Sequence, residues 1–278
     1  MYNAICASHI IIFHKGETSK MKKFIAMLLA LAMVLAFAGC AKTEAPETTA
    51  APETEAPVVE TEATVTVMTH DEFVAAELET EVCVETYVQT IESWWDGKCH
   101  IYAQSEDGGY YIYGYECTED EAAALVPGTK ILVNGYKTAW SGEVEIVDAT
   151  IEVLEGSYIV EEAFDATALL GTEELAAYNN ALVAFNGLTV AASNDEGAAF
   201  LYKWDGSGSQ GDDIYFNVTD GTNTYTFTVN AYMVGFGAGS DVYAAAEALN
   251  VGDVINVEGF LYWYEGAQPH CTSIVVAE

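Results

Sequence analysis

The chain's strongest constraint is an internal repeat. "PGTKILVNGYKTAWSG" (127–142) aligns with "VGDVINVEGFLYWYEG" (251–266): Gly128, Ile131, Val133, Gly135, Tyr136 and Gly142 fall on Gly252, Ile255, Val257, Gly259, Phe260 and Gly266. The offset is about 124, and "AAAL" (122–125) falls on "AEAL" (246–249) at the same spacing. Upstream, "IYAQSEDG" (101–108) matches "IYFNVTDG" (214–221), and a Trp-Asp-Gly triplet occurs at 95–97 and again at 204–206. "EVCVETYVQT" (81–90) matches "ALVAFNGLTV" (181–190). The order is kept and the offset only grows along the chain, as two copies of one unit with insertions in the second require.

Each copy reads as strands with short helices. In the first, "THDEFVAAEL" opens a helix in which Thr69 and Glu72 fit a capping box, and "CTEDEAAALVPG" opens another with Thr118 and Glu121. "EVCVETYVQTI" alternates with period two, "CHIYAQ" and "YYIYGYE" flank an Asp107-Gly108 turn signal, and "KILVNGYKT" and "VEIVDATIEV" complete five strands. The second copy repeats the order with "TEELAAYN" (helix), "ALVAFNGLTV", "DIYFNV", "TYTFTVNAY", "DVYAAAEAL" (helix), "VINVEGFLY" and "TSIVVA".

Five strands with a helix between the third and fourth resemble an OB-fold. The "VGDVINVEG" pattern, with a turn glycine and a second glycine where the strand coils, is similar to its fourth strand. The expected fold class is therefore all-β with short helices: two tandem five-stranded OB-fold-like barrels, residues 67–156 and 157–278, after a signal peptide and a disordered linker. OB-folds host many ligands, so the resemblance implies a scaffold rather than an activity.

The N-terminal part carries an address. Lys22 and Lys23 precede an apolar run from Phe24 to Ala38, the length of a signal h-region, which ends in "FAGC". Small residues before a cysteine resemble the lipobox of bacterial lipoproteins, which implies cleavage before Cys40 and a diacylglyceryl anchor on its thiol. Residues 21–39 are then a lipoprotein signal peptide, and residues 1–20 read as a mis-called N-terminal extension, with Met21 the start. Residues 40–66 comprise the lipidated Cys40 and an Ala/Thr/Glu/Pro linker that cannot bury enough apolar surface to order. Lipobox, acidic tether and paired domains together resemble lipoproteins of anaerobic Gram-positive gut bacteria, a likeness that implies no activity. The expected location is the extracytoplasmic face of the cell membrane, with the lipid bilayer as partner.

Charge narrows the ligand. The formal net charge is −34, and the nine basic residues are all lysine. Removing residues 1–39 takes away four lysines and one glutamate and leaves about −37. Nucleic-acid affinity comes largely from Lys and Arg on phosphate, so nucleic acid is a disfavoured partner. Solubility is the plain reading of such a charge.

OB-folds bind ligands on strands two and three, flanked by the loops between strands one and two and between strands four and five. All five tryptophans fall in those loops. Trp94, Trp95 and Asp96, with Trp140, belong to one copy; Trp204 and Asp205, with Trp263 and Tyr264, belong to the other. Two readings stand side by side: these rings pack across the barrel ends, or they form platforms that stack on sugars or bases. Under the second, a glycan is the favoured ligand and a protein ligand the other candidate.

Other chemistry finds little support. Asp205, Asp212 and Asp213 in "DGSGSQGDD" are weak candidates for calcium, but Gln210 stands where an EF-hand needs glycine and no closing Glu follows. No other cofactor is implied. Cys83, Cys99, Cys117 and Cys271 include no C-x-x-C; three lie in one copy, where either a bridge between two of them or free buried thiols fit. No nucleophile elbow or phosphate loop occurs. The reading is a non-catalytic binding module, not an enzyme. The alternatives are a calcium-assisted hydrolase of cell-surface polymers, an OB-type oligonucleotide binder, or a protein-binding role through open barrel edges.

Overall fold

A computed structural model describes residues 66–277. The extension 1–20, the signal segment, Cys40 and nearly all of the linker lie outside these residues. The first copy runs α1 (His70–Ala75), β1 (Glu81–Ile91), β2 (Lys98–Ser105), β3 (Gly108–Glu116), α2 (Glu119–Ala124), β4 (Thr129–Trp140) and β5 (Glu143–Ser157). Both capping boxes form: the Thr69 and Thr118 hydroxyls accept from the amides of Glu72 and Glu121, whose carboxylates accept from the cap amides in return. At the far end of α1 the Lys137 ammonium donates to the carbonyls of Phe73, Val74 and Ala76 at 2.8–2.9 Å, satisfying groups that the helix leaves orphaned. The strands close into a barrel in the order β1-β2-β3-β5-β4, with β3 and β5 parallel.

The second copy contains β6 (Phe164–Asp165), β7 (Leu182–Ala191), β8 (Phe200–Tyr202), β9 (Ile214–Thr219), β10 (Thr224–Val229), α3 (Asp241–Glu247), β11 (Val254–Phe260) and β12 (His270–Val276). The pairing of β7 with β9 closes the ring β7-β9-β10-β12-β11, with β10 and β12 parallel, and β6 and β8 are added outside it. This is the order of the first barrel. The chain is all-β with short helices, and its strand order is that of the OB-fold. Among the described residues no helix is long and apolar enough to cross a membrane.

The glycines matched by sequence do matching work. A Cβ at Gly135 would lie 2.7 Å from Ile146, and one at Gly259 would lie 2.5 Å from the His270 carbonyl. In both barrels the fourth strand coils against the fifth there, and the pairing register shifts. Two expectations change, and the insertions expected in the second copy are located. "TEELAAYN" forms a 3-10 helix (Glu173–Tyr178), because the Thr172 hydroxyl turns back to the Leu169 carbonyl and caps nothing. "TYTFTVNAY" stops being strand at Val229, because the Asn230 side chain accepts from the Tyr232 amide and bends the chain away. The growing offset comes from β8, inserted between β7 and Trp204, and from the segment 230–240 between β10 and α3.

The barrels are joined by a packed seam, and the described residues fall in one compact unit. Tyr102 of β2 and Tyr111 of β3 point out of the first barrel and are buried with Met233 and Phe260 of the second. Tyr102 stacks on Phe260 at 4.9 Å, and its hydroxyl meets His270 Nδ1. The segment after β10 pairs with the end of β1: Val234 donates to the Ile91 carbonyl and Ser93 to the Tyr232 carbonyl, both at 2.8 Å. Trp263 and Leu182 donate backbone amides to the side chains of Glu143 and Gln104. Glu143 is fully buried, and its second oxygen has no hydrogen-bond partner.

Two predictions follow from the seam. A Cβ at Gly109 would lie 2.3 Å from the Asn180 carbonyl carbon. Gly109→Ala should therefore cost about 1–3 kcal/mol of stability in urea unfolding, and an unchanged midpoint would show that the barrels do not approach this closely. Burial pushes Glu143 up to about 8. Its stabilising share is complete below the unfolded value of 4.5 and is lost as pH rises through about 8. Glu143→Gln, which keeps the protonated shape, should gain in melting temperature relative to the parent between pH 5 and pH 8.5; parallel curves would refute the assignment.

Candidate ligand groove

On the second barrel, alternation along β9 sends Ile214, Phe216 and Val218 inward and leaves Tyr215 and Asn217 facing out. Across the pair on β10, Thr226 and Thr228 face out beside them, and the Thr226 hydroxyl donates to Asn217 at 2.8 Å. This polar, uncharged floor lies under a groove of about 1380 Å³. It is the strand-two and strand-three face on which an OB-fold holds ligands.

Three walls rise from it. The connection between β7 and β9 brings Trp204, 76 % exposed. The connection between β11 and β12 brings Tyr262, Trp263 and Tyr264. The first barrel supplies Glu92, Tyr111 and Trp140. Trp140 and Tyr264 meet across the seam with ring centres 5.3 Å apart. The aromatics divide between the two sequence readings. Trp263 lies against Gly142 and Tyr262 stacks on His270 at 4.4 Å, both as packing. Trp140, Trp204 and Tyr264 keep exposed ring surface.

The remaining expected residues lie apart. Trp94, Trp95 and Asp96 do not line the groove. Trp95, 81 % exposed, begins a two-residue turn in which Asp96 and Gly97 both take positive φ, and Trp94 donates its indole N–H to the Cys117 carbonyl at 2.9 Å. The second triplet is built differently: Gly206 donates to the Lys203 carbonyl, so Trp204 and Asp205 are the middle of that turn. The recurring triplet marks the same connection in both barrels, with two different backbone shapes.

The acidic loop does not gather its oxygens. Asp205 accepts from the Ser207 amide, Asp212 from the Ser209 amide and Asp213 from the Ala231 amide. Among the described residues no cluster of three or more His, Cys, Asp or Glu is placed to hold a metal. All four described cysteines are free, with the sulfurs of Cys99 and Cys117 in contact at 3.7 Å.

Glu92 is the groove residue that sequence missed, because nothing in "TIESWW" sets it apart from many other acids. It sits at the seam, where Oε1 accepts from Asn230 at 2.9 Å and from Tyr111 at 3.2 Å. Burial pushes it up to about 7; the two donors oppose the shift and Asp213 adds to it. Burial also raises Asp213. His270, enclosed beside Tyr102, is pushed down to about 3 by burial and stays neutral.

No protein-family model matches the chain, and no curated protein matches it. Solved structures do match. A murine DNA binding protein bound with ds DNA has a TM-score of 0.32 and 12 % identity over 70 % of this chain and 96 % of that one. The p204 HINb domain has a TM-score of 0.32 and 10 % identity over 73 % of this chain and 100 % of that one. A deletion mutant of the single-stranded DNA binding protein from Thermus aquaticus has a TM-score of 0.22 and 13 % identity over 71 % and 94 %. Scores and identities this low carry no argument about this chain's ligand, and the fold assignment rests on its own strand order. One expectation is corrected beside them: net charge does not rule against nucleic acid as a partner. Charge summed over a chain does not locate the charges, and single strands are held by aromatic stacking as well as by cations.

Proposed function

We propose that this chain is a lipid-anchored extracytoplasmic protein that binds glycans, without turnover, in the groove on its second barrel. The observation that carries this reading is the convergence of Trp140, Trp204 and Tyr264 over a floor of Asn217, Thr226 and Thr228. Exposed rings offer apolar faces to the C–H faces of sugars, and neutral amide and hydroxyl groups match their hydroxyls. Residues from both barrels and the strand-one to strand-two connection take part, so binding needs the duplicated chain. The "FAGC" sequence supplies the anchor at Cys40, and the Ala/Thr/Glu/Pro segment holds the groove off the bilayer.

A combined glycan and oligonucleotide array, followed by titration and product analysis, tests the ligand. Trp204→Ala and Trp140→Ala should each weaken glycan binding about tenfold, since a stacked ring contributes roughly 1–3 kcal/mol. Trp95→Ala should leave it unchanged. Binding of oligonucleotides alone, or equal losses at Trp95, would overturn the glycan assignment, and released fragments would overturn the non-catalytic one. The anchor has its own test: Cys40→Ala should move the protein from the membrane to the soluble fraction and abolish incorporation of a labelled fatty acid. Retention of label would place the anchor elsewhere.

A further inference from the structure

The ionisable carboxylates at the groove carry one sign and lack a basic partner there. Glu92 and Asp213 lie in it half-buried, and Glu173 and Glu265 stand at its edge. No lysine lines it. The four lysines of the described residues make their contacts elsewhere: Lys98 with Glu116, Lys130 with Glu85, Lys137 with the carbonyls that end α1, and Lys203 with Asp212 at 3.6 Å, from where its charge also acts on Asp213 without contacting it. Partly buried like charges are costly side by side, and Asp213 is one of the groups that raise Glu92.

A second observation points the same way. Thr228 is 2 % exposed, lines the groove, and its hydroxyl oxygen has no hydrogen-bond partner. An ammonium group carries three donors and no acceptor, and it needs oxygens around it. Glu92 and Asp213 line the groove with such oxygens, and the unpartnered Thr228 oxygen lies closed in beside them. Tyr215, half-buried, adds aromatic surface to the same groove, and ring faces attract cations.

We infer that the groove selects saccharides bearing a free amine, whose ammonium settles between Glu92 and Asp213 while the sugar rings stack on Trp140 and Trp204. This rests on the glycan reading above and adds the charge of the ligand to it. The ammonium supplies the counter-charge that the groove lacks, and its sugar occupies the exposed aromatics.

Two probes of one backbone separate the two claims: the β-1,4-linked glucosamine tetramer and its fully N-acetylated counterpart, titrated into the full chain. The free-amine tetramer should bind about tenfold more tightly, the advantage one cation held by carboxylates and rings confers. Glu92→Gln and Asp213→Asn, each near-isosteric, should erase that advantage, read within each variant as the ratio of the two probes' affinities. Glu152→Gln, an exposed acid outside the groove, should leave the advantage intact, which excludes attraction by net charge alone. Equal binding of the two probes overturns the charge selection and leaves the glycan reading standing. Loss of the advantage at Glu152 overturns the site. Binding of neither probe overturns both.

Discussion

The burial of one aromatic sheet face organises the molecule. Tyr102 and Tyr111 stand on the outer face of the first barrel, where an OB-fold meets its ligand, and here they meet Phe260, Met233 and His270 of the second barrel. Large aromatic rings contribute more buried apolar area than other side chains, and their hydroxyls must still find partners. Tyr102 finds His270, and Tyr111 finds Glu92. The seam that results fixes Glu143, Trp263 and Trp140, and through them a wall of the groove. A binding surface on one copy became the mount for the other.

Equivalent strands therefore do different work. By the repeat alignment Tyr102 corresponds to Tyr215, and their cross-strand partners are Tyr111 and Thr228. The first pair is closed over and the second pair floors an open groove. Substituting threonine for tyrosine at that position removes a ring and leaves an unsatisfied hydroxyl in its place. Formation of the seam and opening of the groove are two outcomes of the same duplicated face.

Much of this was legible in the sequence, and the missing part has a physical reason. Period-two alternation fixed which residues face each barrel's interior, the capping boxes fixed two helix starts, and the coil glycines fixed where the fourth strands bend. Alternation separates inward from outward residues and says nothing of what covers the outward ones, so it could not show that Tyr102 and Tyr111 are buried by the second barrel. The segment after β10 read as strand because "TYTFTVNAY" alternates through Asn230, whose side chain turns the chain toward the other barrel. Charge was legible only as a sum. That sum hid Glu92, and it was a poor guide to partners. The Trp-Asp-Gly triplets showed the equivalence of two connections and concealed that the tryptophan opens one turn and sits in the middle of the other.

The way the barrels meet also bears on how many can join. One copy's strand face docks on a different surface of the next, which makes the contact head-to-tail, and such contacts extend into filaments unless something ends them. The second barrel still presents the face by which a further copy would be added. That face has a threonine where the docking tyrosine stood, and it is flanked by carboxylates that would meet another strongly acidic chain. So flanked, the groove is a poor mount for another barrel of this kind and stays open to a small ligand.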